Sequence, residues 1–444
     1  MKPMPTPAPN PGPLKVAYIM SRFPKLTETF ILYEILAMEA LGAGVEVYPL
    51  LRERERVLHP EAARMLPRVH FHPFVSLPIL RAQWHFFSRR PLDYLKLWFD
   101  VLRWAWGSAN FFIGALGIFP KAVRFAYEME RLGISHVHAH FCNHPAVAAL
   151  IIHRLTAIPY SFTAHGTDLH VERHMLDRKV EAAAFAVTVS EFNKALMVQE
   201  CGDEAREKIH VIHCGIDPAL FTPPPSRDGT GPLQILCVST LRRVKGHEYL
   251  VEACRLLRER GVEFVCHFVG EGPLWRKVEA QINQAGLNNQ IRMHGSLPRP
   301  EVIRLMPTAD VAVIASTPTQ AGRQEGIPVT LMEAMASGLP VVATAITGIP
   351  ELVDSGISGL LVPPGDPAAL ADALQALGRD PELRKKMGRA GREKVVREFN
   401  LQVNVQQLLN LFLAEGKKKL ATVPVAAPAP PPATEEHEAI AANN

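Results

Sequence analysis

Two glutamates, Glu325 and Glu333, lie eight residues apart in the stretch QEGIPVTLMEAMASGLPVV. Pro328 suits the first position of a helix, and Gly338 suits the position just after a helix ends. The pattern therefore predicts a short helix over 329–337, with Glu325 in the preceding loop and Glu333 roughly 7 to 8 Å along the axis. Because carboxylates accept hydrogen bonds from hydroxyl groups, both side chains are candidates for binding a hydroxylated ligand.

The start of this helix lies between the two carboxylates and offers an anion site. The N–H groups of Val329 and Thr330 have no partner within the helix, and Gly326, followed by Ile327 in the same loop, lets a ligand approach the backbone. The order of hydroxyl acceptor, anion cradle and hydroxyl acceptor matches the sugar, diphosphate and ribose of a nucleotide sugar. The alternative is that the second glutamate faces solvent and the first is an ordinary loop acid.

A lysine in LRRVKGHEYL supplies a cation for the same ligand. Lys245 follows a predicted strand and precedes a predicted helix, so its ammonium is expected to reach a diphosphate. A diphosphate that leaves without a metal needs two or more positive or N–H partners, and Arg242 or Arg243 is a candidate for the second. The alternative for Lys245 is a solvated surface lysine.

The N-terminal half contains a second group of candidates. His165, in SFTAHGTD, ends a predicted strand, where its imidazole is expected to hydrogen-bond a sugar hydroxyl or orient an acceptor, with Asp168 nearby. The loop SRFPKLTETF is expected to meet the acceptor or a phosphate, although Thr27 also suits an ordinary helix N-cap. The polar side chains of that loop are Ser21, Thr27, Glu28 and Thr29.

The run HVHAHFCNH places His136, His138 and His140 on one face of a predicted strand. Three imidazoles could bind zinc, but the run contains no carboxylate. We expect no metal here and expect His140 to lie near the cleft on the acceptor side.

These loops must be positioned by strands, and the sequence alternates short apolar runs with helical patterns. LKVAYIM and LQILCVS begin two similar blocks; HVHAHF, YSFTAH and FAVTVS follow in the first, and FVCHFVG, IRMHGS, VAVIAS, LPVVAT and GLLVPP in the second. Such alternation predicts an α/β protein with two Rossmann-like domains, whose parallel sheets face each other across a cleft. Ligands in such sheets bind beyond the carboxyl ends of the strands, where the candidates lie.

Composition shifts set the expected boundaries. We predict a flexible arm over 1–13, an N-terminal domain over 14–222 with a helical insertion at about 73–130, and a Pro- and Gly-rich linker over 223–232. A second domain is expected over 233–395, followed by a helix over 396–418 that crosses back to the first domain, and a disordered tail over 421–444.

Charge and cysteine content exclude several classes. A net charge of +4 on 444 residues gives no case for nucleic acid binding, and the six cysteines include no C-x-x-C pair. The proline-rich start lacks the apolar core of a secretory signal, so the cytoplasm is the expected location. No G-x-G-x-x-G, P-loop or D-x-D motif occurs, which disfavours a dinucleotide, a P-loop nucleotide or a metal-held diphosphate.

One segment departs from the average. Residues 81–121 hold four of the five tryptophans together with several arginines and lysines. Aromatic and basic side chains in alternation suit a surface in the lipid headgroup layer, so we expect peripheral contact with the inner face of the membrane. A helical insertion packed on its own domain is the equal alternative.

Glu325 to Glu333 resembles the E-x7-E motif of retaining glycosyltransferases with the GT-B fold, in particular glycosyltransferase family 4. MSRFPKLTETF and SFTAHGTD are similar to the branch that builds bacterial exopolysaccharides such as colanic acid. The likeness implies that Glu325 contacts the donor sugar, Glu333 the ribose and Lys245 the pyrophosphate, and that His165 is the active-site histidine. The family's arginine position is occupied by Thr240, which departs from the pattern.

The same resemblance places two weaker contacts near the nucleotide. HFVGEGPL supplies Gly270 and Glu271 in a glycine loop, and IRMHGSLP supplies main-chain groups up to His294 beside the base. Glycines after a strand are more often simple turns, and main-chain contacts leave the identity of the base unreadable.

The resemblance implies a metal-independent, retaining transferase without a cofactor, which moves a sugar from a nucleotide-diphosphate sugar to a lipid-linked or oligosaccharide acceptor. Two alternatives stay open. A sugar-nucleotide epimerase or hydrolase shares the fold and needs no acceptor or membrane. A non-catalytic binder of sugar nucleotide is compatible with Thr240.

Overall fold

The computed structural model describes residues 14–24, 29–53, 60–223, 231–320 and 322–421. The predicted N-terminal arm, most of the predicted linker and nearly all of the predicted tail lie outside the described residues, as do Thr27 and Glu28.

The N-terminal half forms a six-stranded parallel sheet in the order β2-β1-β3-β4-β5-β6. Its strands are β1 (Lys15–Phe23), β2 (Gly44–Arg52), β3 (His136–His140), β4 (Tyr160–Ala164), β5 (Phe185–Thr188) and β6 (Ile209–Val211). Its helices are α1 (Thr29–Ala40), α2 (Pro60–Met65), α3 (Leu77–Arg89), α4 (Pro91–Ala105), α5 (Ala109–Leu132), α6 (His144–Thr156), α7 (Thr167–His170), α8 (Leu176–Ala182) and α9 (Glu191–Cys201).

The C-terminal half repeats the design with the sheet order β12-β11-β10-β7-β8-β9, again parallel. Its strands are β7 (Leu233–Val238), β8 (Phe264–Val269), β9 (Ile291–Met293), β10 (Val311–Ile314), β11 (Val341–Thr344) and β12 (Gly359–Val362). Its helices are α10 (His247–Glu259), α11 (Trp275–Gln284), α12 (Arg299–Leu305), α13 (Val329–Ala336), α14 (Ile349–Leu352), α15 (Pro367–Arg379) and α16 (Pro381–Glu398).

Each of the ten apolar runs predicted as strands contains one, which confirms the two Rossmann-like domains. The apolar pattern did not indicate β2 and β6. β2 contains Pro49, which cannot donate to a ladder and is tolerated because this strand lies at the sheet edge. β6 has three residues, Ile209–Val211.

The insertion between the first two strands and the third forms three consecutive helices, α3, α4 and α5. Ser76 and Ser108 cap the first and third of these through their hydroxyl groups. Apolar side chains such as Val101, Phe111 and Phe119 pack into the core of the N-terminal domain. Among the described residues, no helix combines the length and the apolar character needed to cross a bilayer.

The last helix, α17 (Leu401–Ala421), follows α16 and packs on the N-terminal domain. Its apolar side chains Val405, Leu408 and Phe412 share a core cluster with Tyr18 of β1. The amide of Asn404 donates to the main-chain oxygen of His213 at 2.9 Å. α17 begins at Leu401, after α16 ends at Glu398, and thus a few residues later than the expected start at 396.

Candidate active site

The loop after β10 carries Glu325 to the edge of the C-terminal sheet. Its carboxylate Oε2 lies 2.5 Å from the Lys245 ammonium and accepts a hydrogen bond from the Ser316 hydroxyl at 3.3 Å. The Thr347 hydroxyl donates to the Glu325 main-chain oxygen at 2.6 Å, which fixes the loop. The structure thus brings together the acid and the base that the sequence placed 80 positions apart.

Lys245 reaches this loop because the chain turns tightly after β7. A short 3-10 turn spans Arg243–Lys245, and Gly246 follows with φ of 62°. A Cβ atom at Gly246 would lie 1.8 Å from the Ala315 main-chain oxygen, so only glycine permits this approach. Arg242 and Arg243 are exposed beside the turn and take part in no ion pair within the described part of the chain, which leaves both cations available to an anion.

Glu333 lies inside α13 and is buried, with 8% of its surface exposed. Its Oε1 is 3.4 Å from a guanidinium nitrogen of Arg299, at the start of α12. Burial raises the pKa of Glu333, and the nearby Arg299 opposes that effect. The guanidinium also lies 4.8 Å from the centre of the Tyr33 ring in the N-terminal domain. The sequence did not indicate Arg299; its position in the segment after β9, at the ligand-binding edge, was the available signal.

The helix that separates the two glutamates begins at Val329, one residue after the buried Pro328. Among the residues that the structure describes, no side chain caps this helix start, so the N–H groups of Val329 and Thr330 are not satisfied by a cap. Ile327 packs on Gly348, where an added Cβ would lie 2.7 Å from its side chain. The observed helix over Val329–Ala336 agrees with the predicted one to within a residue.

The glycine loop after β8 is a tight turn against β7. Gly270 has φ of 137°, and a Cβ there would lie 2.2 Å from the Ser239 main-chain oxygen. The Glu271 main-chain oxygen accepts from the Leu241 N–H at 3.0 Å, and the Glu271 side chain is exposed. His294 follows β9 and its Nε2 lies 2.9 Å from His267 Nδ1. The tight turn alone accounts for the glycine at position 270. The contact of this loop with a nucleotide therefore stays a prediction.

His165 follows β4 and presents its main chain, rather than its ring, to the other domain. A Cβ at Gly326 would lie 3.3 Å from the His165 main-chain oxygen, so the glycine of the donor loop lies against it. The imidazole packs between Phe30 and Phe141, with ring centres 4.7 and 4.9 Å away. Burial, and to a smaller extent the charge of His140, lowers the pKa of His165 well below its usual value.

Both nitrogens of this imidazole have neighbours inside the N-terminal domain. Nε2 lies 3.1 Å from His140 Nδ1, and Nδ1 lies 3.8 Å from the Cys214 sulfur. His140 itself is fully buried and lies next to His165, so its expected place near the cleft, on the acceptor side, stays a prediction.

Asp168 was expected on the acceptor side, but the structure shows it tying two loops together. Its Oδ1 accepts from the N–H groups of His165 and Gly166 at 3.0 and 2.9 Å. Its Oδ2 accepts from the Cys142 N–H at 2.7 Å. The carboxylate is buried and both oxygens accept main-chain N–H groups, so it holds the His165 loop in place, and its contact with an acceptor stays a prediction.

The remaining described candidates on the acceptor side lie at and beyond the carboxyl end of β1. Ser21 lies near the end of β1 and is half-buried, and Thr29 is the first residue of α1. Their contact with an acceptor stays a prediction.

One group of side chains in the described residues has ligand atoms close enough for a metal: Glu34, His138 and His140, all within 4.8 Å of one another. The His138 nitrogens, however, lie 2.8 and 2.9 Å from the hydroxyls of Ser161 and Thr163. Because both of its nitrogens have hydroxyl partners, His138 offers no free lone pair, and the group fits a metal poorly. The carboxylate that the histidine run lacks in sequence is supplied by α1.

Comparison with solved structures defines the fold. A glycosyltransferase from Rickettsia africae aligns with a TM-score of 0.68 at 19% identity, covering 91% of this chain and 99% of that one. Anabaena HepE, solved in complex with UDP, aligns with a TM-score of 0.69 at 17% identity, covering 90% and 100%. The two facing parallel sheets form the GT-B fold.

Sequence comparison defines the family. The profile "Glycosyl transferases group 1" matches residues 223–394, and "Glycosyltransferase Family 4" matches residues 114–220. A putative colanic acid biosynthesis glycosyltransferase of Salmonella typhimurium is 31% identical over 424 residues, covering 90% of this chain and 99% of the relative. The chain belongs to glycosyltransferase family 4.

Two further relatives match over a shorter stretch. The Escherichia coli protein of the same description is 42% identical over 210 residues, 47% of this chain and 52% of its own length. The amylovoran biosynthesis glycosyltransferase of Erwinia amylovora is 38% identical over 206 residues, 46% and 51% of the two chains. The matched segments span about half the length of these two relatives. Family membership favours the transferase over the epimerase or hydrolase.

Proposed function

We propose that the protein transfers a sugar from a nucleotide-diphosphate sugar to a glycan or lipid-linked glycan acceptor in exopolysaccharide synthesis, with retention of configuration and without a metal or other cofactor. The observation that supports this most directly is the arrangement around α13. Lys245 pairs with Glu325 before its start, and Glu333, about one turn inside, pairs with Arg299 of α12. The relatives named for colanic acid and amylovoran synthesis favour an exopolysaccharide product.

Each part of the donor would have a partner of suitable chemistry. Glu325 accepts from sugar hydroxyls once the ligand draws Lys245 towards the diphosphate, and Glu333 accepts from the ribose. Lys245, Arg242 or Arg243 and the uncapped N–H groups of α13 stabilise the charge that develops on the leaving diphosphate. These cations supply the charge that a metal provides in other transferases.

In the proposed reaction, the bond between the anomeric carbon and the diphosphate oxygen breaks, and a bond from the acceptor oxygen forms on the same face of the sugar. The acceptor proton passes to the leaving phosphate, so no protein nucleophile is needed. The His165 main-chain oxygen, opposite Gly326, is suitably placed to contact the transferred sugar.

The insertion supplies a surface for a membrane-bound acceptor. Large apolar side chains recur every three or four residues on exposed helix faces, as amphipathic packing on lipid requires. They are Leu77, Leu80 and Trp84 on α3, Leu92, Leu95 and Phe99 on α4, and Ile113 and Leu116 on α5. Arg81, Lys96 and Arg103 are exposed among them and would meet anionic headgroups. We therefore place the enzyme in the cytoplasm, peripherally on the inner face of the membrane.

A release assay tests the transfer. UDP-, GDP- and ADP-sugars are incubated with the protein and EDTA, with and without a lipid extract that contains polyprenyl-linked glycans. We expect one donor to yield nucleoside diphosphate only when the extract is present, and the product to keep the donor's anomeric configuration by NMR. Release without an acceptor would identify a hydrolase, and no release at all with a donor that binds would identify a non-catalytic binder.

A vesicle assay tests the membrane contact. The double variant Trp84→Glu, Phe99→Glu changes two side chains that are 68% and 66% exposed, and Ile357→Glu, at 62% in the C-terminal domain, is the matched control. Because each buried aromatic contributes a few kcal/mol, we expect co-sedimentation with anionic vesicles to fall about tenfold or more in the double variant only. Equal binding by all three proteins would remove the membrane from the proposal.

A further inference from the structure

A line of polar side chains connects the interior of the N-terminal domain to His165. The Tyr18 hydroxyl donates to Glu34 Oε1 at 3.2 Å, and the same oxygen lies 3.3 Å from His140 Nε2. His140 Nδ1 lies 3.1 Å from His165 Nε2. Glu34 comes from α1, His140 from the end of β3 and His165 from the end of β4, so three separate elements build the line.

The His140 nitrogen that faces Glu34 has no hydrogen-bond partner elsewhere among the described residues. His140 is fully buried, and its Nε2 makes no hydrogen bond within the described structure. A buried polar atom without a partner costs about 1 to 3 kcal/mol, so the neighbouring carboxylate is the group that would satisfy it. A neutral imidazole carries one N–H and one acceptor nitrogen.

One proton on each ring then fixes both tautomers. A carboxylate only accepts hydrogen bonds, so Glu34 requires the His140 proton on Nε2. His140 Nδ1 is then an acceptor, and the His165 proton must lie on Nε2 to donate to it. His165 Nδ1 is left as the acceptor beside the Cys214 thiol, whose pKa burial raises to about 12 and which therefore keeps its proton.

We propose that Glu34 and His140 are positioning residues, which set the tautomer and orientation of His165 and so hold its main chain against Gly326. Because the ring is anchored on one side by His140 and the N–H of His165 on the other by Asp168, the His165 main-chain oxygen has one place to lie. Without the Glu34 carboxylate, His140, His165 and Asp168 are still present, but the tautomers of the two imidazole rings are no longer fixed.

The tautomers can be read directly. Nitrogen-15 NMR of the full-length protein labelled in histidine, with signals assigned by single histidine substitutions, distinguishes Nδ1–H, Nε2–H and doubly protonated rings. We expect Nε2–H for both His140 and His165 at pH 7. A doubly protonated His140, or a His165 with its proton on Nδ1, would overturn the proposal. This measurement needs no substrate, so it stands or falls independently of the proposed function.

The kinetic consequence does rest on the proposed function. Glu34→Gln keeps the shape of the side chain but presents an amide N–H that can donate to His140, and Glu39→Gln changes another acid of α1, paired with Arg68, as the control. We expect Glu34→Gln to convert part of the His140 and His165 signals to Nδ1–H and to lower kcat about 10- to 100-fold with an unchanged donor KM. A Glu34→Gln variant that is folded by thermal melting but keeps both tautomers and kcat would contradict the assignment.

Discussion

The two domains have similar parallel sheets, but the polar side chains at the strand ends differ in charge. At the edge of the C-terminal sheet the polar side chains are charged and paired, Lys245 with Glu325 and Arg299 with Glu333. At the edge of the N-terminal sheet they are buried imidazoles, and burial lowers the pKa of His138 and His165 well below the usual value. Charged side chains suit a diphosphate, which gains negative charge when it leaves. Buried imidazole rings that pack against one another suit a rigid boundary of the cleft.

The sharpest way to break this comparison is to remove the charge at the C-terminal edge. Lys245→Ala should lower kcat/KM about 100- to 1000-fold, because one donor to the developing charge is lost. Lys277→Ala is the control, since that lysine pairs with Glu248 on the exposed surface of the same domain. Initial rates of nucleoside diphosphate release measure the effect. If both variants retain wild-type rates, the charge at this edge has no part in the transfer.

A smaller effect is expected at Glu333. Glu333→Gln should raise the donor Kd about tenfold, because a charge-assisted hydrogen bond contributes about 1.5 to 3 kcal/mol. Burial raises the pKa of Glu333 above its ordinary 4.5, so the wild-type carboxylate takes up a proton as the pH falls towards that range, and the advantage over the variant should shrink. Isothermal titration between pH 8 and pH 5 measures both. A constant ratio of the two affinities would mean that Glu333 does not bind as a carboxylate.

The histidines predict a difference in acid stability between the domains. Burial lowers the folded pKa of His136 to about 3, and that of His138 and His165 well below 6.5. Below pH 6.5 the histidines of the unfolded chain therefore bind protons, whereas these rings stay neutral in the folded domain. The free energy of unfolding then falls by up to about 1.4 kcal/mol per pH unit for each ring. Hydrogen exchange at pH 7.5 and 5.5, corrected for intrinsic rates, should show β3 and β4 losing more protection than β10 and β11. Equal losses would show that the rings are not held neutral.

The sequence predicted the parts of this comparison that follow local patterns. Apolar runs located ten strands, and the rule that ligands bind beyond strand ends placed Glu325 and Lys245 on one edge. Arg299 and Glu34 were missed because their partners, Glu333 and His140, are distant in sequence and meet only in the folded chain. Asp168 was assigned to the acceptor because one sequence does not show which N–H groups a carboxylate will face.

The aromatic segment illustrates the same limit. Its composition indicated an amphipathic insertion, but burial decided which aromatics form the core and which form the surface. Phe111 and Phe119 are in the core, whereas Trp84 and Phe99 are exposed. Gly114 and Gly117 lie within α5 and do not interrupt it.

The central claim, a nucleotide-sugar site built on α13, is tested most directly by thermal stability against UDP, GDP, ADP and NAD, with and without EDTA, in the wild type and Glu333→Ala. A ligand at about 100 times its Kd adds roughly 2.7 kcal/mol, a clear shift in Tm. We expect one nucleoside diphosphate to stabilise the wild type, to do so equally with EDTA, and to lose most of its effect in Glu333→Ala. Stabilisation by NAD alone, by no nucleotide, or by one that protects Glu333→Ala equally well would contradict the account.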